Sequence, residues 1–363
     1  MMLALQSARS GRGRVEPNPP VGACVVGGDR LLSLAHHRAY GGPHAEIHAL
    51  RGAGSAARGA TLYVTLEPCS TTGKTPPCVD ALLAAGLARV VVATEDPNPA
   101  HRGLGLRRLQ EGGVEVVRGL LSGQADELLS GFREHLASPF PFVVAKWAMS
   151  ADGKIATATG DSRWITGLSA RRRAHRERRE ADAVMVGIGT VLADDPELTV
   201  RHVRGESRIR IVLDSSLRTP PTARLVRTCH RSPVLILAGE QAPSDREEFL
   251  RACGCSVIRL PVREGRVDLK AALRLLRERG VGKILLEGGG ELLADAFRIG
   301  VVKRALAFVA PKILGGREAP TPVGGRGVSG VIEGVRLSPP RVQRLGDDVL
   351  LTYQVERAGG PPA

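Results

Sequence analysis

Short β-rich runs alternate with helical patterns along the first 135 or so residues, and that alternation restricts the chain to a layered α/β architecture with a largely covered sheet. VGACVV (21–26), ATLYVTL (60–66), ARVVVAT (88–94) and VEVV (114–117) read as strands. Between them AEIHALRGAG, CVDALLAAG and GLRRLQEGG read as helices, each ending at a glycine suited to a C-cap. SGQADELLSGFREHLA follows as one further amphipathic helix. SPFPF (138–142) then interrupts the pattern with two prolines, which disfavour helix continuation and suit a linker. A second alternation begins at once. FVVAKWAMS, ADAVMVG, RIRIVLD, PVLILA, CSVIRL, KILLEG and RALAFVA read as strands, with helical patterns at 169–180, 245–252, 268–279 and 291–297. RVQRLGDDVLLTYQVE reads as a hairpin across Gly-Asp-Asp. The halves share no repeat, so the sequence predicts two unlike domains, 1–138 and 142–357, and a disordered tail over 358–363.

Composition narrows the function classes. Apolar residues make up 43% of the 363, enough to form cores. No run approaches the ~18 uninterrupted apolar residues that span a bilayer. The N-terminus, MMLALQSARSGRGR, places its arginines after its apolar part, the wrong order for a secretory signal, so a cytoplasmic protein without membrane partners is expected. Six irregularly spaced cysteines do not make a disulfide framework. The net charge of +14 invites a nucleic-acid reading, but aromatics are only 3% and offer few stacking platforms. The arginines are also dispersed. Anionic small molecules are the better expected partners, with no nucleic acid. RRRAHRERRE (171–180), the densest basic run, reads by itself as the solvated face of a helix.

LEPCSTTGKTPPC (66–78) holds two cysteines in a loop whose glycine and prolines forbid long regular structure. A disulfide, a metal site and core packing are the alternatives. Upstream, GGPHAEIHAL (41–50) puts His44 and Glu46 at a helix start, where both can face one pocket; His48 is left as a helix-face residue. Together His44, Cys69 and Cys78 supply one imidazole and two thiolates, with Glu46 as a nearby free carboxylate. Three protein ligands with an open fourth position are what a catalytic zinc requires. Zinc deaminases use this arrangement, H-x-E with P-C-x-x-C, the glutamate moving protons. Here eight residues, not two, separate the cysteines.

That longer loop, with PNPPVG (17–22) and DPNP (96–99), resembles the deaminase domain of the bifunctional riboflavin-biosynthesis deaminase/reductase family. The resemblance implies a cytidine-deaminase-like three-layer α/β/α domain that removes an amine from a diaminopyrimidinone carrying a ribose phosphate. By position it makes His44, Cys69 and Cys78 the zinc ligands and Glu46 the proton shuttle. It places Asn18, His37, Lys74, Thr75, Asp96 and Asn98 around the pyrimidine and its phosphoribosyl arm. The chain departs from the family at Thr71, where a histidine is usual. The N-terminal helix is also several residues shorter than usual.

In the second half, VMVGIGTVLADDPELTVR (184–201) and KILLEGGGELLADAF (283–297) each run strand, glycines, helix. Such turns let backbone approach a dinucleotide closely, and each alone is equally well an ordinary turn. Combined with KWAMSADGKIA (146–156), GDSRWITG (160–167) and RIVLDSS (210–216), they resemble the reductase domain of the same family, a dihydrofolate-reductase-like α/β fold. The resemblance implies NADPH against Ala148, Trp164, Thr190, Asp194 and Ser215. It adds Gly289, Gly290, Glu291, Leu292, Leu293, Ala294 and Asp295 to that lining. Ser162, Arg178, Leu198, Arg201 and Glu287 would line the substrate, with Arg178 turned to its phosphate. Hydride from the nicotinamide would reduce C1 of the sugar to give the ribityl chain. A homo-oligomer, dimer or larger, is implied as well.

Two rival functions are distinguishable. A deaminase of free or nucleic-acid cytosine or adenine would carry PCxxC spacing, which this chain lacks. A basic nucleic-acid-binding protein with a vestigial deaminase fold would show steeply salt-dependent binding without turnover.

Overall fold

The computed structural model describes residues 1–12 and 14–356; the tail expected over 358–363 lies outside the described residues, as does Arg357. The backbone divides into two compact units, one covering Met1–Ser138 and one beginning at Pro139.

The first unit opens with α1 (Met2–Arg9), β1 (Gly22–Gly27), β2 (Arg30–His36) and α2 (Ala45–Ala53). It continues through β3 (Thr61–Val64), α3 (Cys78–Ala84), β4 (Arg89–Val92), α4 (Leu104–Glu111) and β5 (Glu115–Arg118). The sheet order is β2-β1-β3-β4-β5, with β1 antiparallel to both neighbours and β3, β4 and β5 parallel. Residues two apart in a strand share a face. Ala23, Val25, Leu62, Val64, Val90 and Val92 therefore meet Ala45 and Ala49 of α2, Val79 and Leu82 of α3, and Leu106 and Leu109 of α4. On the opposite face Leu5 and Ala8 of α1 cluster with Ala93, Ala125 and Leu128. The result is three layers. Gly22 is required by the approach of α1, since a Cβ there would lie 2.0 Å from the Ala4 carbonyl oxygen.

One strand of this unit is unannounced by the sequence, and one expectation is corrected. β2 is a strand that the hydrophobic pattern does not announce. It lies at the sheet edge with Leu31 and Leu34 exposed, so its apolar residues do not alternate cleanly. The single amphipathic helix expected over SGQADELLSGFREHLA is two, α5 (Ser122–Leu128) and α6 (Ser130–Ala137). The break is at Leu129, whose φ of −92° and ψ of 2° leave the helical region. Its side chain is fully buried in the core on the other face from Ala125 and Leu128, and one straight helix cannot serve both clusters.

The second unit begins with β6 (Phe142–Ser150), α7 (Leu168–Glu180), β7 (Ala183–Gly187) and α8 (Ile188–Asp194). Then follow β8 (Ile209–Leu213), α9 (Arg224–Arg227), β9 (Val234–Gly239), α10 (Ser244–Ala252) and β10 (Ser256–Leu260). A small hairpin, β11 (Val262–Arg263) with β12 (Arg266–Val267), leads to α11 (Leu269–Glu278), β13 (Lys283–Glu287), α12 (Gly290–Arg298) and β14 (Val302–Ala310). The terminal hairpin pairs β15 (Arg341–Leu345) with β16 (Asp348–Gln354). The nine-stranded order is β10-β9-β8-β7-β13-β6-β14-β16-β15, parallel except where β16 joins β14 and β15. Alternate residues serve opposite faces: Val143, Met185 and Ile284 pack with α11 and α12, whereas Val184, Val212 and Ile236 pack with Val191, Leu225 and Leu250. β13 is inserted between β7 and β6, so the turns after β7 and β13 lie side by side at the carboxyl edge of the sheet, where open α/β sheets bind ligands.

Candidate active sites

In the first unit, His44 is the N-cap of α2, extended at φ −73° and ψ 169°, and Glu46 lies in the helix's first turn. Cys78 is the first residue of α3, after Pro77, and Cys69 lies in the loop that follows β3. His44 Nδ1 is 3.5 Å from Cys69 Sγ and 3.3 Å from Cys78 Sγ. All three donor atoms lie within 4.8 Å of one another. Ligands of a tetrahedral zinc, at about 2.0–2.3 Å from the ion, sit about 3.5 Å apart, so the donor set fits zinc in both chemistry and spacing. All six cysteines are free, which removes the disulfide alternative.

The close approach of these groups also sets their ionisation. Hydrogen bonding from the Cys78 thiol, opposed by burial, holds the Cys69 thiol below its ordinary value. Donating that bond, together with burial, holds the Cys78 thiol up. Burial works against charge on His44, but the Cys69 hydrogen bond and the Glu46 charge outweigh it and raise its pKa. Glu46 is buried, which raises its carboxyl pKa, and its Oε2 has no hydrogen-bond partner among the described residues. A buried orphan oxygen beside three convergent donors marks a place for a further group.

Asn18 and His37 adjoin this centre, and the other expected substrate residues lie in the loops that follow β3 and β4. Asn18 Nδ2 donates to His37 Nε2 at 3.1 Å, and His37 Nδ1 donates to the Pro43 carbonyl at 3.0 Å. Burial pushes the His37 pKa down to about 4, which keeps the ring neutral at pH 7. The His37 and His44 rings meet edge to face with centroids 5.2 Å apart. Asp96 Oδ1 accepts from the Asn98 N–H at 2.8 Å, and Asn98 Oδ1 accepts from the Ala100 N–H at 3.1 Å. Burial raises the Asp96 pKa. Lys74 Nζ lies 4.8 Å over the Tyr40 ring, and the Thr75 carbonyl accepts from Gly73 in the same exposed loop tip. Thr71 Oγ1 lies 3.5 Å from His101 Nδ1. Sequence reasoning missed Glu67, whose buried carboxylate binds the backbone of 96–106; its adjacency to Pro68-Cys69 was the only signal.

In the second unit the two glycine turns meet. Gly289 N–H donates to Thr190 Oγ1 at 3.0 Å, so α8 and α12 start side by side. Ser162 Oγ donates to Asp194 Oδ1 at 2.9 Å, and Arg163 donates to the Asp194 carbonyl. Those residues share an open cleft with Asp161 and Arg224. Trp164 is 61% exposed, with the Arg171 guanidinium 4.2 Å over its ring. Ala148 lies on β6, half-buried. Ser215 Oγ accepts from the Val267 N–H at 2.9 Å. Of the α12 residues, Gly290 accepts from Gly324 and Glu291 pairs with Arg266, while Asp295 pairs with Arg298. Leu292 and Ala294 are half-buried.

Three details differ from the sequence reading. Leu198 and Leu293 turn their side chains into the core, so only their backbone is available to a ligand. Arg178 faces neither solvent nor an open phosphate site: its Nε and Nη2 donate to Glu287 and its Nη1 to the Thr199 carbonyl. Arg201 Nη1 pairs with Glu197 at 2.6 Å, and its N–H donates to Nδ1 of buried His175. Burial, then the Arg178 charge, pushes the His175 pKa down to about 3, which preserves that acceptor.

Residues 1–94 match the family model of the cytidine and deoxycytidylate deaminase zinc-binding region. Residues 141–351 match that of the RibD C-terminal domain. The chain is 41% identical over 355 residues to the riboflavin biosynthesis protein RibD of Actinobacillus pleuropneumoniae, covering 98% of this chain and 94% of that protein. It is similar to the solved structure of Acinetobacter baumannii RibD, form 1, with a TM-score of 0.71, 33% identity and 98% of each chain covered. A diaminohydroxyphosphoribosylaminopyrimidine deaminase/5-amino-6-(5-phosphoribosylamino)uracil reductase from Thermotoga maritima gives a TM-score of 0.69 at 33% identity, covering 98% of this chain and 97% of that one. Matched in both units and over nearly its whole length, the chain belongs to the RibD family of riboflavin biosynthesis proteins.

Proposed function

We propose that the chain catalyses two steps of riboflavin synthesis. The unit over 1–138 deaminates 2,5-diamino-6-(5-phosphoribosylamino)pyrimidin-4(3H)-one. The unit from 142 onward reduces the ribosyl group, giving 5-amino-6-(5-phosphoribitylamino)uracil. The observation that carries this reading is the convergence of His44, Cys69 and Cys78 beside the unpartnered Oε2 of buried Glu46, in a chain whose other half matches the RibD C-terminal domain.

In the first unit, His44, Cys69 and Cys78 would hold the zinc. Held there, zinc would make water a nucleophile at neutral pH. Glu46 then takes a proton at Oε2 and delivers it to the leaving amine; the raised carboxyl pKa suits a group that must both accept and release it. Neutral His37, held by Pro43 and Asn18, orients the Asn18 amide toward the ring. Asp96 offers its carboxylate to ring N–H groups, while Lys74, Thr75 and Asn98 meet the phosphoribosyl arm.

In the second unit, bound NADPH would supply the hydride. The paired turns at Thr190 and Gly289 keep backbone close to the dinucleotide, with Asp194 and Ser215 against it and Ser162, bonded to Asp194, on the substrate side. Arg178 acts through Glu287, holding that carboxylate ionised beside the sugar, and Arg201, whose Nη1 pairs with Glu197, turns its other N–H groups to the phosphate. By family resemblance we expect a homo-oligomer, a dimer or larger, working in the cytoplasm on this phosphorylated pyrimidine. Among the described residues no helix is long and apolar enough to cross a membrane.

The test is to assay the purified chain separately for the two half-reactions, with metal analysis and light scattering. About one zinc per chain, release of ammonia from the diaminopyrimidinone, and oxidation of NADPH in preference to NADH on the deaminated product are expected. Absence of zinc together with no NADPH oxidation would sink the reading.

A further inference from the structure

Glu67 makes an unusual set of contacts for a residue in a loop. Its side chain is buried, and its two oxygens accept four backbone N–H groups. Oε1 accepts from Gly105 at 2.9 Å and Leu106 at 3.4 Å; Oε2 accepts from Gly103 at 2.9 Å and Asp96 at 3.1 Å. Three of those donors belong to the start of α4, where the unsatisfied N–H groups and the helix dipole favour an anion. The packing there leaves no slack, because a Cβ at Gly105 would lie 2.0 Å from the Pro68 carbonyl oxygen. The fourth donor stands outside the helix. It is the N–H of Asp96, whose own Oδ1 closes the turn with Asn98. The carboxylate just before Pro68-Cys69 therefore ties the cysteine loop to the loop carrying Asp96 and Asn98.

We propose that Glu67 is a positioning residue for deamination, holding Asp96 at a fixed height beside the cysteine loop so that its carboxylate meets the pyrimidine. This rests on reading the first unit as a pyrimidine deaminase in which Asp96 contacts the ring. A residue that merely capped α4 would alter stability without acting through Asp96.

A double-mutant cycle on the full-length, zinc-loaded chain separates the two roles, using Glu67→Gln, Asp96→Asn and the pair. Glu67→Gln keeps one carbonyl oxygen but turns an NH2 group toward two N–H donors. Losing those charge-assisted bonds is expected to raise KM for deamination about tenfold while kcat changes less than about threefold. Zinc content and NADPH oxidation on the deaminated substrate stay at wild-type levels. The double variant is expected to be no worse in KM than Asp96→Asn alone, since Glu67 acts through that residue. Glu67→Asp, which keeps the charge on a shorter arm, serves as a second variant should Glu67→Gln not fold, and its KM should fall between wild type and Glu67→Gln. An unchanged KM in Glu67→Gln, multiplying effects in the double variant, or loss of activity that tracks loss of zinc would each overturn the proposal. A wild-type chain that does not deaminate the pyrimidine overturns instead the reading beneath it.

Discussion

Arg178 and Glu287, 109 positions apart in the sequence, meet through two hydrogen bonds of 2.6 and 2.8 Å. Both side chains are nearly buried, at 13% and 10% exposure, and Lys146 Nζ stands 3.6 Å from the same carboxylate. Burial alone would raise the Glu287 pKa, but the Arg178 charge, then that of Lys146, outweighs it and holds the carboxyl well below the usual range. The pair sits at the end of β13, immediately before the glycine turn that meets Thr190.

Glu287→Gln should destabilise the second unit by about 3–5 kcal/mol at pH 7, because it leaves a buried guanidinium without its counter-charge. Both tryptophans, Trp147 and Trp164, lie in this unit, so their emission during denaturant unfolding reports on it directly. Because the folded pKa is depressed, the stabilisation is fully present above the unfolded value of about 4.3 and is lost as pH falls through the folded pKa. The gap between wild type and variant should be constant from pH 8 to about 5 and narrow in more acidic solution. A gap that widens toward acid would contradict the pairing.

Gly22→Ala tests the close packing of α1 on β1. With a Cβ only 2.0 Å from the Ala4 carbonyl oxygen, the helix must shift. A loss of about 1–3 kcal/mol is expected, seen as a lower temperature of thermal inactivation in the deamination assay. An unchanged inactivation temperature would show that α1 is not packed as described.

Cys78→Ser and His44→Ala should each lower bound zinc below wild type and abolish deamination, while NADPH oxidation on the deaminated substrate continues. Prolonged chelation of the wild-type chain should do the same, with activity returning on addition of zinc. Full zinc retention in both variants would place the metal elsewhere.

Much of the fold was legible because its strands are buried on both faces and read as compact β-branched runs, as in VVV of β4 or VMV of β7. β2 was not, since an edge strand with exposed leucines lacks that signature. The break at Leu129 was invisible because it depends on which core claims one leucine. The metal centre was legible for a different reason: ligand type, order and flanking prolines are all local. Arg178 was misplaced because a basic run suggests solvent or phosphate, and its partner Glu287 is distant in sequence. Glu67 stayed hidden for the same reason. Its donors are backbone N–H groups, which leave no side-chain pattern to read.

The most direct measurement is made on Glu46→Ala, following zinc content and both half-reactions on one preparation. Deamination should fall about 10²- to 10⁴-fold, the usual contribution of a positioned acid–base group, with zinc retained and NADPH-dependent reduction unchanged. Deamination that persists at the wild-type rate, or a loss of both reactions together with zinc still bound, would contradict the assignment of a separate zinc-dependent deaminase site to His44, Glu46, Cys69 and Cys78.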